Sequence, residues 1–217
     1  MELQLDYLPG TKIGLYQRKD MFRVNTDTCL LGAFIDMNEG LTVMDIGCNN
    51  GALMLYAKRF KPHRLIGVDI LPEACELAQM NMIYNQITDY EIICHDFATL
   101  EYEPVDVLIT NPPYDRFNLL PDPAKKLVRV ARSEDNLQLD DLIRRARCLL
   151  KDNGHFFMIH RASRLNDIIF LLRFNGFSAD RLEFVYEKDQ INARMVLVSA
   201  VKAPNTQCRI TKKKAGA

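Results

Sequence analysis

The residues best suited to chemistry stand at the end of one apolar run, Asp106-Val107-Leu108-Ile109-Thr110, which passes directly into Asn111-Pro112-Pro113-Tyr114. Two consecutive prolines fix two φ angles and remove two N–H donors, so the segment is a stiff extended bend. Such a bend aims the Asn111 carboxamide and the neighbouring carbonyls at one point, with the Tyr114 ring close by. Carbonyl acceptors suit a substrate that offers an NH2 group. A flat ring suits a planar substrate, and base–aromatic stacking contributes about 1–3 kcal/mol. The simpler alternative is a rigid turn that only ends a strand, and the acidic residues upstream weigh against it.

Three carboxylates close successive apolar runs: Asp45, Asp69 and Asp96. Asp45 opens the turn Asp45-Ile46-Gly47-Cys48-Asn49-Asn50-Gly51, whose glycines let the backbone approach a ligand. A carboxylate about 20 residues beyond such a turn can accept both hydroxyls of a ribose, which is the position of Asp69. Asp96 is followed by Phe97, placed to flank a flat ring. The turn lacks the glycine spacing of dinucleotide sites and the Lys and Thr that grip triphosphates, so both ligand classes fit poorly. His63, His95, His155, His160 and the six cysteines show no metal-ligand spacing. No metal and unpaired thiols are therefore expected.

Short β-rich runs alternate with helical patterns and would position these residues. The strands expected are Leu41–Ile46, Arg64–Ile70, Tyr90–Cys94, Val105–Thr110, His155–His160, Leu182–Glu187 and Arg194–Lys202. The helices expected are Asn50–Phe60, Pro72–Tyr84, Leu139–Lys151 and Arg164–Asn175. Strand–helix alternation implies a parallel sheet covered on both faces. The last two strands are joined too briefly for a crossover, so they pair antiparallel. The fold class is α/β: a doubly wound, mostly parallel, seven-stranded sheet ending in an antiparallel hairpin. Ligands in such sheets sit beyond the carboxyl ends of the strands, where Asp45, Asp69, Asp96 and Asn111 fall.

The motif Asn111–Tyr114 resembles the catalytic motif of class I S-adenosylmethionine-dependent methyltransferases that modify planar amino nitrogens. The turn after Asp45 resembles the first motif of the same class, with Asn49 in place of its middle glycine. Gly14-Leu15-Tyr16-Gln17, Phe22 through Leu31, Val130 through Glu134 and Leu149 through Gly154 are similar to the tRNA1(Val) adenine-37 N6-methyltransferase family. That similarity runs from about Leu8 to Lys202, with Ser133 where the family usually has a histidine. The resemblance implies a Rossmann-like methyltransferase fold with S-adenosyl-L-methionine as cofactor and adenine N6 in tRNA, next to the anticodon, as acceptor. It places Asp27, Asp45, Gly47, Asn49, Gly51, Asp69, Asp96 and Phe97 around the cofactor, and Asn111, Pro112, Pro113 and Tyr114 around the adenine. It divides the chain into an N-terminal segment 1–40 with a helix packed on the cofactor site, a methyltransferase domain 41–204 and a flexible basic tail 205–217. Two other readings remain open: a protein-glutamine N5-methyltransferase, since a carboxamide is also a planar NH2 donor, and a non-catalytic RNA-binding protein of this fold.

Composition is consistent with these readings. The chain has 217 residues, with apolar types making up 48% and charged types 26%, as in soluble globular domains. No apolar run is long enough for a membrane span, and the start, MELQLDYLPGTKIG, has no secretory pattern, so a cytoplasmic protein is expected. Lys+Arg and Asp+Glu both number 28, yet residues 1–104 carry a net −7 and residues 105–217 a net +7. The basic half includes Lys125, Lys126, Arg129, Arg132, Arg144, Arg145, Arg147 and Lys212–Lys214. Clustered cations of this kind are the electrostatic footprint of an RNA partner.

Overall fold

The computed structural model describes residues 2–113 and 139–214. Tyr114, Lys125, Lys126, Arg129, Arg132 and Ser133 lie outside them. The chain opens with an antiparallel pair, β1 (Leu3–Tyr7) and β2 (Gly14–Arg18), followed by helix α1 (Thr26–Phe34). Eight strands then build one sheet: β3 (Thr42–Ile46), β4 (Arg64–Asp69), β5 (Tyr90–Cys94), β6 (Val105–Thr110), β7 (Leu150–Arg161), β8 (Ser178–Tyr186), β9 (Met195–Val201) and β10 (Arg209–Lys214). Their order is β10-β8-β9-β7-β6-β3-β4-β5, with β9 antiparallel to both neighbours and every other pair parallel. Chain order reverses between β3 and β6, which leaves a crevice beyond their carboxyl ends.

Strand alternation sends successive side chains to opposite faces, and the two faces build two cores. Val43, Ile109 and Phe157 pack beneath α1, α2 (Ala52–Ala57) and α3 (Pro72–Tyr84). Met44, Ile46, Leu108 and Phe156 pack against α4 (Leu139–Leu149) and α5 (Leu165–Phe174). α4 buries Leu139, Leu142, Ile143, Ala146 and Leu149, a helical spacing, and turns Arg144 outward to pair with Asp141 on its own surface. No described helix is long and apolar enough to cross a membrane.

The doubly wound sheet with its antiparallel hairpin is as the sequence predicts. Beyond shifts at element ends, such as Leu150 and Lys151, expected to close a helix but found at the start of β7, two features differ. Residues 209–214, expected as part of a flexible tail, form an eighth strand that pairs parallel with β8. As an edge strand with exposed Arg209, Ile210, Thr211 and Lys212, it carries none of the apolar alternation that marks a buried strand, and lysines guard such edges. The β1–β2 pair is likewise unannounced, because β1 is exposed along most of its length.

Gly32 sets how closely α1 approaches α2. A Cβ there would stand 2.4 Å from Cδ2 of the Tyr56 ring. Gly32→Ala gains about 1 kcal/mol of helix propensity but overpacks the contact at about 1–3 kcal/mol. The expected net result is a Tm lowered by a few degrees in a thermal melt; an unchanged or raised Tm would show that the ring moves aside without cost.

Candidate functional site

A cavity of about 280 Å³ opens beyond the carboxyl ends of β3, β4, β5 and β6. Its floor is the turn after β3. Gly47 and Cys48 donate their N–H groups to the Val68 carbonyl at 2.8 and 3.0 Å, tying the turn to β4. Gly47 has φ 70° and open space where a Cβ would stand, so the backbone itself faces the cavity. Asn49 adopts φ 47°, the left-handed region that asparagine tolerates better than most residues. The turn thus keeps a shape suited to glycine without a glycine at its middle position.

Asn49 also ties the site together. Its N–H donates to Asp69 Oδ2 at 2.8 Å, and its Nδ2 donates to the Phe22 carbonyl at 2.7 Å. Its Oδ1 is buried and has no hydrogen-bond partner among the described residues. Asp69, at the end of β4, also accepts the Leu71 N–H at 3.0 Å. Burial pushes the Asp69 carboxyl above the usual carboxylate range, opposed by those backbone N–H groups.

β5 contributes His95, Asp96 and Phe97 to the lining. The His95 N–H donates to the Asp69 carbonyl at 2.9 Å, and Asp96 Oδ1 accepts the Ala98 N–H at 2.9 Å, which fixes the turn. β6 contributes Thr110, Asn111, Pro112 and Pro113. The Thr110 hydroxyl donates to the Ile46 carbonyl at 3.0 Å, locking the ends of β6 and β3 together. Asn111 Nδ2 lies 3.3 Å from the Thr28 hydroxyl of α1.

The remaining wall comes from the N-terminal segment: Met21, Phe22, Val24, Asn25, Asp27 and Thr28. Asp27 Oδ1 accepts from Arg194 Nη2 at 2.7 Å. Arg194 lies next to the start of β9, and its Nε is 2.8 Å from Glu187 Oε1. The fully buried Asn81 of α3 holds the segment from behind. Its Oδ1 accepts the Tyr16 N–H at 2.6 Å, and its Nδ2 donates to the Tyr16 and Asn50 carbonyls, both at 2.9 Å.

Nine of the residues expected at the site therefore line one cavity: Asp27, Gly47, Asn49, Asp69, Asp96, Phe97, Asn111, Pro112 and Pro113. Asp45 and Gly51 do not. Alternation along β3 turns Asp45 toward the α2 face, where it is 1% exposed, and Gly51 starts α2 beside Met82. Asp45 makes no hydrogen bond of good geometry among the described residues. Burial, then the nearby Asp69 charge, drive its carboxyl well above the usual range, while the Met54 N–H opposes them. Sequence reasoning missed Asn25, Thr28, His95, Asn81 and Arg194. His95 had one usable signal, its place between a strand end and Asp96; a contact spanning 167 positions, as between Arg194 and Asp27, leaves no local pattern.

Comparison with known proteins agrees with this geometry. The family described as methyltransferase domain matches residues 37–200. A tRNA1(Val) (adenine(37)-N6)-methyltransferase from Parabacteroides distasonis is 28% identical over 180 residues, covering 81% of this chain and 75% of that protein. Another of the same name, from Porphyromonas gingivalis, is 34% identical over 160 residues, covering 67% of this chain and 61% of that protein. Among solved structures, a tRNA m1G37 methyltransferase from M. jannaschii aligns with TM-score 0.67 at 13% identity, over 94% of this chain and 57% of that one. A predicted O-methyltransferase from Agrobacterium tumefaciens aligns with TM-score 0.65 at 19% identity, over 88% and 89%. These two share the fold.

The Asp45 carboxyl has a testable pH signature. Its folded pKa is raised, so the folded chain holds that proton more tightly than the unfolded chain does. Stability linked to it is complete below the unfolded carboxylate range and is lost as pH rises through the raised value. Asp45→Asn removes this titration. The Tm of the variant minus that of the native chain should increase as pH rises above the unfolded carboxylate range; a difference flat in pH would assign the burial cost elsewhere.

Proposed function

We infer the function from one premise: the chain belongs to the methyltransferase-domain family. We propose that it transfers a methyl group from S-adenosyl-L-methionine to the exocyclic N6 of an adenine in tRNA, next to the anticodon. One observation carries this reading. Asn111-Pro112-Pro113 opens into the same cavity as the Gly47–Asn49 turn and Asp69, so an amine held by the first faces a donor held by the second.

The residues present fit the cofactor. Asp69 offers carboxylate lone pairs to ribose hydroxyls, and Asp96 with Phe97 offers an acceptor and an apolar ring edge to a purine. Asn49 Oδ1 is a buried acceptor without a hydrogen-bond partner among the described residues, suited to an ammonium donor. Gly47 leaves room for close backbone approach. When bound, the cofactor supplies an electrophilic methyl group on a sulfonium.

The chain's own residues would do the rest. Asn111 Oδ1 and the Pro112 carbonyl accept the two hydrogens of the adenine amino group, which draws the nitrogen lone pair out of conjugation with the ring. The amino nitrogen would take the methyl group as the methyl–sulfonium bond breaks, leaving a neutral thioether, and would release one proton to solvent. No nucleophilic side chain and no metal-bound water are needed, so rate comes from positioning and fixed dipoles. An adenine in a loop must be splayed out to enter such a pocket. The net +7 of residues 105–217 supports RNA as the partner. β10 adds to this, because its parallel pairing with β8 carries the Lys212–Lys214 backbone toward the same rim of the sheet as the cavity.

The test is methyl transfer from labelled cofactor to unmodified tRNA, followed by nucleoside mass spectrometry. N6-methyladenosine should form. Absence of product on all tRNAs would overturn the reading, and methylation of a protein glutamine instead would establish the alternative acceptor. Asn111→Ala should lower kcat about 100-fold or more with cofactor affinity kept, whereas Asp69→Ala should weaken cofactor binding in calorimetry.

A further inference from the structure

We propose that Thr28 is a positioning residue that sets which end of the Asn111 carboxamide faces the acceptor amine. The proposal rests on the reading of Asn111 given above and adds to it a device lying outside the strand-end motif.

Three side chains, Asn25, Thr28 and Asn111, share one chain of hydrogen bonds. Asn25 is the N-cap of α1, and its Oδ1 lies 2.9 Å from the Thr28 backbone nitrogen. A backbone N–H can only donate, so the end of Asn25 that faces Thr28 must be the oxygen. That same oxygen lies 3.1 Å from Thr28 Oγ1. Between two oxygens, only the hydroxyl has a proton to give, so Thr28 donates to Asn25. A hydroxyl has one proton, and toward any further neighbour Thr28 is therefore an acceptor. The neighbour is Asn111, 3.3 Å away. Its NH2 end must turn toward Thr28, which points its carbonyl end the other way about the terminal torsion.

For a substrate that offers NH2, this orientation is the useful one. The reversed amide would set its own NH2 against the substrate amine and its oxygen against the Thr28 lone pairs. Thr28 is buried, so water competes poorly for this contact. The cap of a helix before the first strand of the sheet thus dictates the polarity of a group at the end of β6.

The full-length chain tests this with Thr28→Val, which exchanges the hydroxyl for a methyl group of similar size, and with Thr28→Ser, which restores the hydroxyl. Kinetics on unmodified tRNA, calorimetry with S-adenosyl-L-methionine and thermal melts are read together. Thr28→Val should lower kcat about tenfold, the worth of one lost hydrogen bond, with KM and cofactor affinity unchanged. Thr28→Ser should recover it. A second readout needs no turnover: the Asn111 side-chain NH2 resonances, identified by their disappearance in Asn111→Asp, should shift in Thr28→Val and return in Thr28→Ser. Native kcat in Thr28→Val, or unshifted Asn111 resonances, would overturn the proposal. If the native chain methylates no RNA, the functional reading fails, and the resonances still decide the orientation.

Discussion

Asn49 holds the site together. Its backbone and carboxamide fasten three segments: the turn after β3, the end of β4 through Asp69, and the N-terminal segment through Phe22. A glycine at this position would keep the left-handed turn and the bond to Asp69 but would lose the bond to Phe22. The side chain that departs from the familiar glycine pattern is therefore the one that draws the front wall onto the floor. Its cost is a buried carbonyl oxygen with no hydrogen-bond partner among the described residues, on a residue that lines the cavity.

The N-terminal segment is held by side chains where a strand partner would otherwise serve. Asn81 uses its whole carboxamide on the backbone of Tyr16 and Asn50, and Asn85 Nδ2 donates to the Gly14 carbonyl at 2.8 Å. Asn81 projects from α3 and Asn85 caps its C-terminus, so one side of a helix supplies hydrogen bonds that a second neighbouring strand would have given β2. Satisfied buried networks of this kind specify one arrangement, because slipping the register by one residue would leave several groups unpaired.

The sheet was largely legible in the sequence, because buried strands of five or six apolar residues punctuated by Asp, Asn and Gly carry a strong local signal. Val105–Thr110 and Tyr90–Cys94 were delimited to the residue. The cavity lining was legible for the same reason, since chemistry in this topology collects at strand ends. What escaped was set by contacts distant in sequence or by surroundings. β10 takes its order from the open edge of β8, and its own side chains say little. Asp45 has the spacing of a ligand-facing acid, yet strand alternation and the depth of β3 bury it behind the floor. Asn81 reads as an ordinary helix residue until β2 is laid beside it.

The ion pair between Arg194 and Asp27 spans 167 positions of the chain and links the approach to β9 with the first turn of α1. Ribosomes add about 5–20 residues per second, so the helix that walls the cavity waits roughly 10–30 s for its guanidinium partner. Through that interval Asp27 stands beside an unfinished sheet, and β9, the strand that joins β8 to β7, has not been made. The front wall, already held by Asn49 and Asn81, thus gains this last fastening only once residue 194 has been made.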